Sequence, residues 1–567
     1  MSIDHRIDID RKLGVSATAS GSGKTTRTCT KSKWPVMFLV GSAILLEISF
    51  SIAFGQGAAS RPGEGDWLHV DHDLAATRYS RLKQITSKNV SQLAKVCAYS
   101  FPDKEPSQTA PIVSAGIMYL TTSHYTAAVD GSDCHVIWSS KWTPRDYETM
   151  NTQRGAALAD GKILRGSADG FLLALDAKDG HLLWATQIAN SKESYFISMP
   201  PLVHGDLVYI GPAGAEWASK GWVGAFRISD GTQVWRFNIV PDDGEPGADT
   251  WGPDPAARKH GGGNLWTPLT FDEEKNLLYV PGGNPAPDIY DEGRPGANLY
   301  TNSMIALDAT TGRLAWYRQF IPHDVHDYDV SHVGPLFKAA IGGSARDVVA
   351  STGKDGLLRL LDRESTEVIY SVPFTTRLNA EAAITTAAMR VCPGTLGGEE
   401  WNGSAYDAKL NLLVVPATDW CARFKRDASP PDPQKEHTHG FYFGGETDFD
   451  PWSAARGRLT AFDASTGKQK WRYDAPKPMV AGVTATAGDL IFAGELSGDL
   501  LALDARTGEV LLRRALGGPA GGGVVTYTAR GMQNVGVVSG FVGVYNMIAP
   551  EIGGGNTTVT IFRLRGT

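Results

Sequence analysis

The sequence predicts an all-β fold, an eight-bladed β-propeller of four-stranded antiparallel blades, and three observations predict it. A self-similar stretch recurs along the chain, clearest in Leu172-Leu-Ala-Leu-Asp-Ala-Lys-Asp-Gly-His-Leu-Leu-Trp184 and Ala461-Phe-Asp-Ala-Ser-Thr-Gly-Lys-Gln-Lys-Trp471. Further copies lie at 126–138, 223–235, 305–316 and 502–509, with a degenerate one running from Leu361 to Tyr370. The closing tryptophans Trp138, Trp184 and Trp235 stand 46 and 51 residues apart, the length of one blade. Another hairpin, such as 207–210 or 490–493, precedes most copies and brings each unit to four strands.

Each copy follows the same physics. An apolar strand ends at Asp, a short turn closing on Gly reverses the chain, and a second strand ends in Trp. The longer gaps, from 235 to 316 and from 370 to 471, leave room for functional insertions, with turns at 272–276 and 407–411 marking further hairpins inside them. Seven copies plus an N-terminal strand region give eight blades, or seven if that region does not complete one.

A chain of 567 residues is too long for one ordinary compact core, which agrees with a large repeat architecture. Hydrophobic residues at 42% and charged ones at 20% place it among soluble globular proteins, and the net charge of −7 argues against a nucleic-acid binder. Residues 1–55 read as a targeting segment and 56–567 as the propeller domain. Lys31 and Lys33 precede an apolar run from Trp34 to Phe54, which ends in the small-x-small pattern Ala53-Phe-Gly55 of a secretory cleavage site. Translation starting at Met37 would shorten the long segment before the run. A retained N-terminal membrane anchor is the alternative, and Glu47 inside the run counts against it. Gly21-Ser-Gly-Lys-Thr-Thr26 imitates a phosphate loop but has Thr18 where the pattern needs Gly. Cys97, Cys134, Cys392 and Cys421 are an even number in an exported chain, so disulfides are the default, and proximity favours Cys97–Cys134 and Cys392–Cys421.

The stretch Phe320-Ile-Pro-His-Asp-Val-His-Asp-Tyr-Asp329 packs Asp324, Asp327 and Asp329 beside His323 and His326. Acids that close repel one another unless a cation or solvent offsets them. A hard cation takes oxygen ligands from Asp, Glu and Asn, so the loop reads as half of a metal site. The alternative is a solvated acidic loop.

The Ala-Leu-Asp-Ala-x-Thr-Gly-x-x-x-Trp repeat resembles the tryptophan-docking motif of pyrroloquinoline quinone (PQQ) dehydrogenases, from about Asp66 to the C-terminus. Local matches are similar to the methanol/ethanol dehydrogenase branch, an eight-bladed periplasmic family. Cofactor-free propellers carry the repeat too, including an outer-membrane assembly scaffold, so site motifs must separate enzyme from scaffold. Gly211-Pro-Ala-Gly-Ala-Glu216 resembles the family's Gly-x-x-Gly-Ala-Glu loop, which implies cofactor contacts from Ala213, Gly214 and Ala215 and a metal ligand in Glu216. Trp266 and Asn284 match the stacking Trp and the metal-binding Asn. Asp327 matches the catalytic Asp, also a metal ligand. Lys354, in Gly353-Lys-Asp-Gly356, stands at a basic residue that contacts the quinone, and Arg154 at an arginine for its carboxylates. Asn402, Ser167 and Gln108 match further polar contacts. Asp327-Tyr-Asp329 carries the extra Asp that accompanies lanthanide use in this family, so the resemblance implies a lanthanide(III) with Asp329 as a further ligand, Ca2+ being the alternative. Taken singly, Asn284 reads as a turn residue, Trp266 as core, Lys354 as a hairpin lysine and Glu216 as a surface acid; their joint order and spacing points to a site.

From below, the residue types suit that chemistry. Three cofactor carboxylates call for guanidinium, ammonium and hydroxyl groups, and a flat ring calls for an aromatic floor. The resemblance thus implies an exported PQQ-dependent enzyme oxidising a small primary alcohol, with Asp327 as base. Sugars or polyols are alternative substrates, and a non-catalytic protein-binding propeller is the alternative function. No CxxCH is present, so electrons are expected to pass to a separate carrier such as cytochrome c; no nucleic acid is expected, and a homodimer is left open. Several positions depart from the family. No vicinal Cys pair occurs, His326 replaces a Trp, Asn264 replaces a Thr, and the segments at 479–482 and 539–542 lack tryptophans. These departures bear on the substrate cavity more than on the metal.

Overall fold

The computed structural model describes residues 63, 65–433 and 441–566. The targeting segment at 1–55 and the start at Met37 lie outside the described residues. Among the described residues, eight sheets of at least four strands follow one another along the chain. We number these blades 1 to 8 in that order. The innermost strands of blades 1 to 7 begin at Ile112, Ala157, Leu202, Thr270, His332, Ala405 and Val483. Blade 8 consists of Ala520–Ala529, Met532–Ser539 and Thr558–Leu564, and its outermost strand is the N-terminal Leu93–Ser100. The first and last strands of the ring therefore pair with each other. The Cys97–Cys134 disulfide joins that outermost strand to blade 1, and both expected disulfides are present.

The repeat is legible in the packing. In each turn the Asp side chain accepts backbone N–H groups, as Asp176 does from Lys178 at 2.7 Å and Asp504 from Arg506 at 2.8 Å. The Trp closing one blade then packs on the turn of the next. Trp138 donates to the Ala177 carbonyl at 3.0 Å, Trp235 to Ala309 at 3.0 Å and Trp471 to Ala505 at 2.9 Å. The turn glycine is needed because the indole lies where a side chain would be; a Cβ on Gly180 would stand 2.4 Å from Trp138. In the degenerate copy the Tyr370 hydroxyl makes the equivalent bond to Ala464 at 3.0 Å. Apolar cores lie between neighbouring sheets; one includes Leu172, Val208, Phe226, Leu278 and Ile305 from blades 2, 3 and 4.

Two features were not foreseen. Residues 67–78 run inside the ring and bond the innermost strands of five blades. Trp67 exchanges two backbone hydrogen bonds with Val113, and the Leu74, Ala75, Thr77 and Arg78 carbonyls accept from Phe271, Leu336, Tyr406 and Ala485. The buried ion pair Arg78–Asp71 holds this plug together. Secondly, a ninth, three-stranded sheet of Met389–Val391, Ala422–Arg426 and Gly445–Phe449 forms from two insertions. The Cys392–Cys421 disulfide ties them.

Candidate active site

Blade topology decides where the candidate residues meet. In an antiparallel four-stranded unit, the loop entering the innermost strand and the loop between the second and third strands emerge at the same end. Gln108, Arg154, Trp266, Asp327, Asp329 and Asn402 all lie a few residues ahead of an innermost strand. Ser167, 213–216, Asn284 and Lys354 all lie between second and third strands. Every residue singled out from sequence is thus at one end of the ring. The insertions forming the ninth sheet emerge there too. Val391, Ala422 and Phe424 of that sheet pack with Val325, Tyr328 and Ile289, so it caps the acidic loop.

Asp324 shapes that loop by accepting the backbone N–H groups of His326 and Tyr328 at 3.1 and 2.8 Å. Asp327 is then held at φ +59°, which turns its carboxylate toward Lys354. The Lys354 ammonium lies 3.0 Å from both Asp327 oxygens and 2.8 Å from Asp329 Oδ2. Asp329 Oδ1 accepts the Asn284 backbone N–H at 2.8 Å. Asn284 Nδ2 donates to Asp288 Oδ1 at 3.0 Å. Trp266 lies beneath two cations: Lys354 Nζ is 5.3 Å and the Arg154 guanidinium 5.1 Å from its ring. Arg154 also donates to Ser198 Oγ at 2.7 Å and faces Trp401 at 5.6 Å.

Burial dominates the electrostatics. It pushes the carboxyls of Asp327 and Asp288 well above the usual range, against the nearby Lys354 charge. It also raises Glu216, where Lys354 opposes the shift and Asp329 adds to it. Burial lowers Arg154 to about 9, with Glu400, Glu216 and Asp329 pulling the other way. Asn284 links Asp288 to Asp329, Lys354 links Asp329 to Asp327, and both Lys354 and Asp329 act on the charge of Glu216. No three of the carboxylates of Glu216, Asp288, Asp327 and Asp329 bring ligand atoms within 4.8 Å of one another.

The remaining candidates are bound more locally. Asn402 Nδ2 donates to the Val480 carbonyl at 2.8 Å, while Gln108 Nε2 donates to Val542 and leaves a buried, unpartnered Oε1. Ser167 donates to Asp169 at 2.5 Å inside its own loop. Ala213 pairs with Phe196 through the backbone, and Gly214, at φ +127°, leaves no room for a Cβ, which would lie 2.5 Å from the Ser194 carbonyl. Sequence reasoning missed Asp288 and Glu400. Glu400 is buried, and burial raises its carboxyl to about 7 although Lys354 and Arg154 oppose this. Its neighbours Glu399 and Trp401 in a Gly-Gly loop were the available signal.

An aromatic face flanked by two buried cations fits a flat anionic guest, and four acids with one amide are hard oxygen donors fit for a cation. Comparisons with known proteins speak to the same chemistry. The family model "Glucose/ethanol/alcohol dehydrogenase, beta-propeller domain" matches residues 67–377. The chain belongs to the PQQ-dependent alcohol dehydrogenase family. It is 32% identical over 533 residues to a quinohemoprotein alcohol dehydrogenase of Comamonas testosteroni, spanning 85% of this chain and 74% of that one. It is 29% identical to the putative dehydrogenase XoxF of Paracoccus denitrificans, spanning 88% and 91%. Among solved structures, a europium-containing methanol dehydrogenase superposes with TM-score 0.81 at 25% identity, over 88% of this chain and 98% of that one. A second model, of the outer membrane protein assembly factor BamB, matches residues 452–558.

Proposed function

We propose that this quinoprotein oxidises a primary alcohol to an aldehyde outside the inner membrane, in the periplasm, and hands electrons to a separate carrier such as cytochrome c. The observation that carries this reading is the convergence of Trp266, Arg154, Lys354, Asn284, Asp327 and Asp329 at one end of the ring. Bound there, PQQ would supply the hydride acceptor and a lanthanide(III) or Ca2+ ion a Lewis acid for its quinone. Trp266 is the floor for the flat ring. Arg154 would answer its carboxylates and Lys354 its quinone, and the buried Gln108 Oε1 and Arg154 Nε have bonding capacity to spare. Glu216, Asn284, Asp327 and Asp329 would hold the ion through hard oxygen donors.

Asp327 is the general base. It takes the hydroxyl proton as hydride leaves the carbinol carbon, so the alcohol becomes an aldehyde. Burial opposes its ionised form and Lys354 favours it, and that balance sets its basicity. The ninth sheet packs on Val325 and Tyr328 on either side of Asp327 in sequence, and the Asp327 side chain is buried from water.

The test uses the full chain reconstituted with PQQ and either Ca2+ or a light lanthanide, in a dye-linked alcohol assay. Asp327→Asn is expected to abolish turnover while PQQ uptake persists. Asp329→Ala is expected to remove lanthanide-supported activity selectively. Equal lanthanide activity with and without the Asp329 carboxylate would overturn the ion assignment; no PQQ uptake would overturn the enzyme reading.

A further inference from the structure

Asp288 was not among the candidates, yet it has the most anomalous bonding in the site. It is 1% exposed. Its Oδ1 accepts from Asn284 Nδ2 at 3.0 Å, whereas its buried Oδ2 has no partner. A buried carboxylate oxygen without a hydrogen bond is costly, so the site is arranged for a group that would meet it. Asn284 Nδ2 donates as well to the Pro285 carbonyl at 3.2 Å, an oxygen that can only accept, and this pair of bonds has a directional consequence. It fixes the amide with its NH2 toward Asp288, which leaves Asn284 Oδ1 as the face offered to an ion. Asp329 holds the same residue from its backbone side, its Oδ1 accepting the Asn284 N–H at 2.8 Å.

We propose that Asp288 is a further carboxylate of the cation site, orienting the Asn284 amide with one oxygen and facing the ion with the other, and that it biases the site toward trivalent over divalent ions. This rests on the ion site read above. The reasoning is electrostatic. Glu216, Asp288, Asp327 and Asp329 gather four carboxylates against the Lys354 and Arg154 cations. Each extra negative charge at fixed distance favours a triply charged ion over a doubly charged one.

The test is equilibrium dialysis of the full chain with PQQ against equal free La3+ and Ca2+, with bound metal measured by mass spectrometry. Asp288→Asn keeps the shape and an acceptor for Asn284 but removes the charge. The bound La:Ca ratio is expected to fall by about three- to tenfold, because losing such a group costs about 10–100-fold in affinity and a trivalent ion loses half as much again in free energy as a divalent one. An unchanged ratio would overturn the proposal. Asp327→Asn is the reference: if it strips the ion and Asp288→Asn leaves the ratio intact, only this inference fails. If neither variant alters bound metal, the ion site itself is wrong. Should Asp288→Asn not fold, as judged by circular dichroism, Asp288→Ser is measured with the same two outcomes.

Discussion

Lys354 offers the most demanding test of how this site is held together. Its ammonium lies within 3.0 Å of Asp327 and Asp329, and all three side chains are buried. Lys354→Met keeps the aliphatic stem against Trp266 and removes only the charge. Two buried carboxylates then lose their counter-ion, and removing one partner of a buried ion pair costs about 3–5 kcal/mol. For roughly 500 ordered residues, unfolding entropy near 60 °C is about 1 kcal/mol per degree, so the metal-free variant should melt about 3–5 °C below wild type. A cation entering the site supplies the missing charge. Adding La3+ should therefore raise the variant's melting temperature by about 3–5 °C more than it raises that of wild type. Scanning calorimetry with and without La3+ reads both numbers. If the metal-free proteins melt together, or La3+ shifts both equally, Lys354 is not what balances these acids.

Two further outcomes follow from parts of the fold away from the site. Gly508 has φ +75°, and a Cβ there would lie 2.6 Å from Trp471, whereas Gly517 at φ +85° has open space around it. Gly517→Ala should cost about 1 kcal/mol for the backbone alone and Gly508→Ala about 2–4 kcal/mol, compared by urea unfolding. His124 lies between Glu105 and Glu148, whose hydrogen bonds raise its pKa from 6.5 to about 10. A folded-state pKa above the unfolded one stabilises below about pH 6.5 and is lost as pH climbs toward 10. The melting-temperature gap between wild type and His124→Gln should thus be widest near pH 6 and close toward pH 10. A gap that widens with pH would contradict the pairing.

The propeller was legible because its signals are local. A turn Asp, its Gly and the closing Trp lie within a dozen residues, and one indole's need for space on the next turn imposes the same spelling on every copy. Even Tyr370, read as degenerate, keeps the bond that matters. The clustering of Arg154, Trp266, Asn284, Asp327 and Lys354 was legible only through their joint match, in order and spacing, to the motifs of the family the chain resembles. Residues 67–78 were not, because their partners Val113, Phe271, Leu336, Tyr406 and Ala485 are spread over the whole chain and impose no period on the segment. The ninth sheet was hidden in strands of three to five residues inside long insertions. Asp288 was hidden because an acid four residues after a Gly-Gly-Asn turn spells an ordinary surface loop, and only burial shows otherwise.

The strap formed by residues 67–78 works as a tie across the ring. One short segment is bonded to blades 1, 4, 5, 6 and 7, so those blades cannot splay independently of one another. Its own course depends on Arg78, whose guanidinium pairs with the buried Asp71. Losing that one pair would slacken five blades together, although they are far apart along the chain.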